Sequence, residues 1–207
     1  MNKLKPMPER EKFRHVFQMV RLYQKNVLPF VEGHLGFSEM HNLRSVWQAA
    51  IIPIHGDDQD EDKYERAYSN WLWMARCSHD TLADLLSSQE VLEYKRLLLC
   101  LYEQQGNDLN LAILRSLKAY TRLARSLLYE MQWLTPLEIT SSDKAGTTCL
   151  VRDCKILKTA GTLRVCRVDC QHIGREYARK VYQLKRVTVQ SDHGCEISLT
   201  PQEPQEE

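Results

Sequence analysis

Apolar residues recur at every third or fourth position through residues 1–134 of this chain, and more nearly at every second position through much of residues 135–199. The first spacing is that of an amphipathic helix, the second that of a half-buried strand. Phe13, Val16, Phe17, Val20 and Tyr23 form the first stripe, behind Pro8, which can stand in a first helical turn. "VEGHLGF" interrupts it. Ser38 is a candidate N-cap for "EMHNLRSVWQAAII", where Leu43, Val46, Trp47 and Ala50 share a face and Pro53 ends the pattern. The loop "HGDDQDED" supplies an Asp to start the next helix, whose broad face carries Tyr64, Ala67, Tyr68, Trp71, Ala75, Ser78, His79 and Leu82. Another helix is predicted over 88–104, stopping at Gly106. "LNLAILRSLKAYTRLARSLLYEMQWL" then reads as one uninterrupted helix, with Leu111, Leu114, Leu117, Leu123, Leu127 and Met131 between solvated Lys and Arg residues.

The texture changes at Thr135-Pro136. "LEITSSDKAGTTCLVRDCKI" alternates β-branched with polar residues around "SDKAG", a hairpin signal. "TLRVCRV" reads as a further strand. Asp169 is placed to cap a helix over "CQHIGREYARKVYQL", whose stripe is Cys170, Ile173, Tyr177, Val181 and Leu184. "RVTVQ", the turn "SDHG" and "CEISL" close the pattern as two short strands, and "TPQEPQEE" is Pro- and Glu-rich, the composition of a disordered tail. The expected fold is therefore α+β: a helical N-terminal bundle (1–134), a cysteine-rich module with a small antiparallel sheet and one packed helix (135–199), and a disordered tail (200–207).

Composition narrows the function classes. With 28 Lys and Arg against 27 Asp and Glu, the formal charge of +1 leaves no electrostatic footprint for nucleic acid or anionic lipid. The basic start "MNKLKPMPEREKFRHVF" lacks the apolar run of a secretory signal, and no apolar run approaches the roughly 20 residues of a membrane span. A soluble cytoplasmic protein, with neither nucleic-acid nor membrane partners, is expected. No Gly-rich phosphate loop, G-x-S-x-G or H-E-x-x-H occurs, which leaves kinase, dinucleotide and metalloprotease readings without support.

Seven cysteines is a high and odd count, and Cys149, Cys154, Cys166, Cys170 and Cys195 crowd into the last third. A loosely spaced odd set argues against a disulfide framework in a reducing compartment. Period-two counting puts Cys195 on one strand face with Ile197 and Leu199, facing inward. Cys170, at the start of the predicted helix, would feel the positive end of its dipole, which lowers a thiol's pKa. With Cys166 on the preceding strand, three thiols could line one cavity. Each alone is also an ordinary small hydrophobe of the core.

Nucleophilic catalysis needs a thiolate, a group to make it and an acid for the leaving group. Cys195 or Cys170 are the candidate nucleophiles, His172 or His193 the candidate bases, and Asp169 an orienter or acid, when it is not simply capping its helix. Trp71 and His79, with their aromatic neighbours, could face the same cavity, or belong to the core. A zinc or iron site built from Cys166, Cys170, His193 and Cys195 is the metal alternative, although the C-x3-C spacing is not that of a zinc knuckle.

A strand ending in a cysteine, then C-x-x-D (Cys166, Asp169), a helix, a strand with Val187 and Val189, and a turn into C-x-I-x-L (Cys195, Ile197, Leu199) resembles the bacterial L-2-amino-thiazoline-4-carboxylic acid hydrolase-like family. The stretch is more distantly similar to the small-molecule-binding domains named after 4-vinyl reductase. The resemblance covers roughly residues 136–199 and departs from those families at Cys170, directly after Asp169, and at the short "SDHG" turn. It implies a helical part joined to an α+β module and a buried small-molecule pocket with Cys195 near its base. The expectation is thus a hydrolase-like enzyme for a small C–N or C–S compound, with Cys195, Asp169 and His172 catalytic and Cys166, Cys170, His193, Trp71 and His79 around the substrate. The alternatives are a non-catalytic metal- or ligand-binding sensor and a helical interaction protein with inert thiols. Association as a homodimer is left open.

Overall fold

Pro8 has no N–H to satisfy and an extended backbone, and the first helix, α1 (Glu9–Leu35), begins directly after it. The computed structural model describes residues 3–104, 109–191 and 194–202. Val16, Val20 and Tyr23 of the first stripe are buried, whereas Phe17 stays 40% exposed. The break expected in "VEGHLGF" falls at Gly36, whose φ of +89° few other residues adopt. It is the start of α2 (Phe37–Gln48), so Ser38 lies inside this helix and does not cap it. Leu43 and Trp47 are buried as predicted, but the helix ends five residues before Pro53 and leaves Val46 and Ala50 exposed.

Helix α3 (Asp60–Leu85) starts in the acidic loop and buries the whole predicted face, from Tyr64 and Ala67 to His79 and Leu82. Helix α4 (Ser88–Glu103) is held at its start by a reciprocal capping box between Ser87 and Glu90. The predicted stop at Gly106 lies outside the described residues.

The long helix expected over 109–134 is two helices, α5 (Leu109–Ser116) and α6 (Tyr120–Glu130), followed by a 3₁₀ turn at Met131–Trp133. Lys118 takes a φ of +50° at the joint, and the Ala119 N–H bonds back to the Leu114 carbonyl. Leu117 is turned out, 69% exposed. Beyond the bend α6 packs on β2, β3 and β4, and Leu123, Leu127 and Leu128 are buried.

The sheet is antiparallel, in the order β1-β2-β4-β3. Strands β1 (Glu138–Ser142) and β2 (Thr147–Val151) form the expected hairpin, its turn fixed by Asp143 Oδ1, which accepts from the N–H groups of Ala145 and Gly146. Strands β3 (Leu184–Gln190) and β4 (Cys195–Pro201) close the fold, with Arg186 opposite Leu199 and Gln190 opposite Cys195. Because Thr200 and Pro201 belong to β4, the predicted tail begins too early, and residues 203–207 lie outside those described.

The stretch "TLRVCRV" is not a strand. After a one-turn helix, α7 (Lys155–Lys158), it forms a helical turn, α8 (Leu163–Val165), that widens into a π-helical segment, Cys166–Ile173, and narrows again into α9 (Gly174–Tyr182). Both sides of β2 are taken, by β1 and β4, and the chain here is instead drawn against α3 and α4. No described helix is long and apolar enough to cross a membrane.

Candidate functional site

Asp169 sits in the middle of the π-helical segment, 2% exposed, and does not cap a helix. Its carboxylate is where four elements meet. Oδ1 accepts from the hydroxyls of Tyr23 on α1 (3.0 Å) and Tyr102 on α4 (3.1 Å), while Oδ2 lies 2.5 Å from Nε2 of His79 on α3. The other ring nitrogen of His79 is 3.1 Å from the Tyr94 hydroxyl. With Nε2–H donating to the carboxylate, a neutral ring accepts at Nδ1 from Tyr94, so every donor runs toward Asp169. Burial, and then the Asp169 charge, hold Tyr23, Tyr94 and Tyr102 well above the usual tyrosine range, which keeps all three as protonated donors.

The wide turn explains how Asp169 and its neighbours are aimed. The Gly174 N–H reaches back five residues to the Asp169 carbonyl, and residues three apart, such as Asp169 and His172, diverge on such a coil. The expected proton-handling pair is therefore not formed. His172 is half-exposed, with Nδ1 3.5 Å from Arg175. Burial, with Lys95 and Arg175 nearby, lowers its pKa.

Arg186 is the second centre. It points from β3 into the interior, 5% exposed, on the same strand face as buried Leu184. Among the described residues it forms no ion pair: Nη1 meets only the Met131 sulfur at 3.8 Å, and Nε has no hydrogen-bond partner. Burial pulls its pKa below the ordinary range, opposed by the surrounding thiols of Cys170, Cys195, Cys149 and Cys166. A guanidinium left this way is costly, because an unpaired buried charge loses hydration without recompense. The Arg186 head also packs against Gly174, where an added Cβ would come 2.2 Å from Nη1.

The thiols gather around this arginine, yet none is activated by it. Burial raises Cys170 well above the ordinary thiol range, and a neighbouring Cys166 adds to the effect. Cys195 is pushed up to about 11 and Cys149 to about 12, in both cases by burial, with Arg186 pulling the other way. Cys166 is also raised by burial, and accepts weakly from Gln171 Nε2 at 3.8 Å. The expected lowering of the Cys170 pKa by a helix start fails because Cys170 lies inside a continuous coil, where no free N–H groups face it.

One small, partly open cavity, of about 40 Å3, joins the two centres: Tyr102, Asp169, Cys170, Tyr177 and Arg186 line it, with Glu130 accepting from the Tyr177 hydroxyl at 3.0 Å. Cys195 and Cys166 do not line it. Trp71 is fully buried against Tyr68 and Trp133, a core residue away from the cavity wall. His79 belongs to the site through Asp169. His193 lies outside the described residues. Among those described, no group of three or more His, Cys, Asp or Glu side chains could hold a metal ion, so the zinc or iron alternative finds no ligand set there.

Residue type and spacing single out Asp169, Cys170 and His79 but miss Tyr23, Tyr94, Tyr102 and Arg186. For Arg186 a signal is present. In "LKRVTV" it shares the parity of Leu184, so an inward strand face carries an arginine. No protein-family model, curated protein or solved structure matches the chain.

Proposed function

We propose that this protein binds a small molecule bearing an anionic group, received by Arg186 in the cavity that Cys170 and Asp169 also face. The observation that carries this reading is the buried arginine without an ion-pair partner among the described residues. An anion placed there would supply what the fold does not. Given its size, the cavity takes a group of a few atoms, and a larger molecule enters only as Met131 and Leu134, which also line it, move aside.

Non-catalytic binding is favoured over a hydrolase because the thiols are held protonated and both Asp169 oxygens already accept hydrogen bonds. The hydrolase reading retains one specific support: Cys170, Asp169 and Arg186 face one cavity, so an anion-bearing C–N or C–S compound held by Arg186 would lie beside a thiol. In that case Cys170, more than Cys195, is the nucleophile.

The test is thermal unfolding with and without acetate, sulfate, phosphate and free amino acids, in the wild type and Arg186→Met. At least one anion should raise the wild-type Tm by several degrees through linkage. The variant should lose that response while its ligand-free Tm stays equal or rises, because replacing an unpaired buried charge by an apolar side chain is neutral or stabilising. A folded variant that keeps the anion response, or a wild type indifferent to every anion, overturns the reading.

A further inference from the structure

The two edges of the sheet differ. Strand β1 is five residues long and its pairing with β2 slips between Ile139 and Ser141, the kind of bulge that protects an edge from adding another strand. Strand β3 is seven residues long, pairs with β4 in unbroken register, and contains neither Pro nor Gly. No further strand pairs with its outer side among the described residues. Beside that edge runs an open cleft of about 590 Å3, with consecutive residues Leu184 to Thr188 as one wall and the side of α9 as the other.

The cleft has a charge sign. Arg175 and Arg179 reach in from α9 and Lys185 from the strand, against the single carboxylate of Glu176. Glu176 is engaged by Arg179 through two hydrogen bonds (2.8 and 3.1 Å) and by Arg175 at 3.7 Å, and Lys185 has no ion-pair partner among the described residues. Val187 and Val189, 48% and 63% exposed, alternate with polar positions along the strand. A strand edge next to a helix-walled groove is the geometry of β-strand addition, in which main-chain bonds give affinity and the groove reads alternate side chains.

We propose that this cleft receives an extended, acidic peptide segment of a partner protein, added antiparallel or parallel to β3 as a fifth strand. A second copy of the chain is the weaker occupant, because its β3, Leu184–Gln190, carries no carboxylate to meet the cations of this cleft. Arg186 belongs to this wall as well as to the cavity but is only 5% exposed, so the charge the cleft presents comes from Arg175, Arg179 and Lys185.

The probe is a fluorescein-labelled heptapeptide of alternating Glu and Val, followed by anisotropy with the full chain at low salt. Saturable binding is expected, weakened at least tenfold when Lys replaces Glu and at least tenfold when alternate peptide nitrogens along one edge are methylated. Arg175→Glu with Arg179→Glu should reverse the preference toward the Lys peptide; both side chains are about half-exposed, at 57% and 46%, so the fold tolerates the change. Absence of binding, equal affinity for the Glu and Lys peptides, or full affinity for the methylated peptides of both registers overturns the proposal. Sedimentation showing that β3 is already occupied by a second copy does so as well.

Discussion

Nε2 of His79 lies 2.5 Å from Oδ2 of Asp169, a contact between residues 90 positions apart whose side chains are 1% and 0% exposed. It ties the central helix of the bundle to the π-helical segment of the C-terminal module, and two tyrosine hydroxyls close the same knot from α1 and α4. Asp169→Ala would strand three donors in the interior. We expect a loss of about 3–5 kcal/mol, since each buried donor left unsatisfied costs about 1–3 kcal/mol, and a Tm lower by roughly 10 °C. Tyr23→Phe and Tyr102→Phe should each cost only about 1–2 kcal/mol, since the carboxylate keeps its other donors. Thermal denaturation checks this. An Asp169→Ala protein within a few degrees of wild type would show that the knot holds nothing together.

Gly174 makes room for Arg186. A methyl group there would come 2.2 Å from Nη1 and 3.0 Å from the guanidinium carbon. Gly174→Ala should therefore destabilise by about 1–3 kcal/mol, the usual cost of overpacking, even though alanine is the better helix former. The double variant Gly174→Ala with Arg186→Met should recover most of that loss. A double-mutant cycle in urea reads the coupling, and additive effects would mean that the two residues do not meet.

Gly194 answers to backbone. A Cβ there would fall 1.7 Å from the Val151 carbonyl oxygen and 2.9 Å from its carbon, atoms that cannot rotate away. Gly194→Ala should open the end of β4 where Cys195 pairs with Val151. The expected cost is about 2–4 kcal/mol, with faster amide exchange at the start of β4. Exchange unchanged from wild type would contradict it.

The thiols around Arg186 give the protein an alkaline weakness. Cys170, Cys166, Cys195 and Cys149 are all raised when folded, so the unfolded chain releases their protons first. Their stabilising effect is complete below the ordinary thiol range and fades as pH climbs through about 9 toward 11–12. The urea midpoint should accordingly fall between pH 9 and 11, and less so in Cys195→Ser. At pH 7.5 a bulky disulfide reagent should modify exposed Cys100 quickly and the clustered thiols only after denaturation. Rapid native-state labelling of Cys170 would instead mark it as an activated thiol.

The sequence carried the helical stripes and the "SDKAG" hairpin well, because both are local patterns enforced by one buried face. It misled at "TLRVCRV", where seven residues with three β-branched positions satisfy a strand template as well as a helix template. The neighbours decide that choice, and they come from α3 and α4. The site was legible in part. His79 stood out on an apolar helix face and Asp169 as a capping or proton-handling residue, whereas Tyr23, Tyr94 and Tyr102 look like core aromatics until the partner of each hydroxyl is known, up to 146 positions away. The length of a π-helical turn, which separates His172 from Asp169, has no counterpart in residue spacing.

The strand order has a consequence for how the chain acquires its shape during synthesis. β4, the strand nearest the C-terminus, occupies an interior place between β2 and β3. Until β4 has emerged, the first hairpin and β3 have no common neighbour, and Arg186 has no finished wall behind it. Deleting β4 (Cys195–Pro201) would split the sheet between β2 and β3, where in a sequentially ordered meander loss of the last strand would merely trim a border.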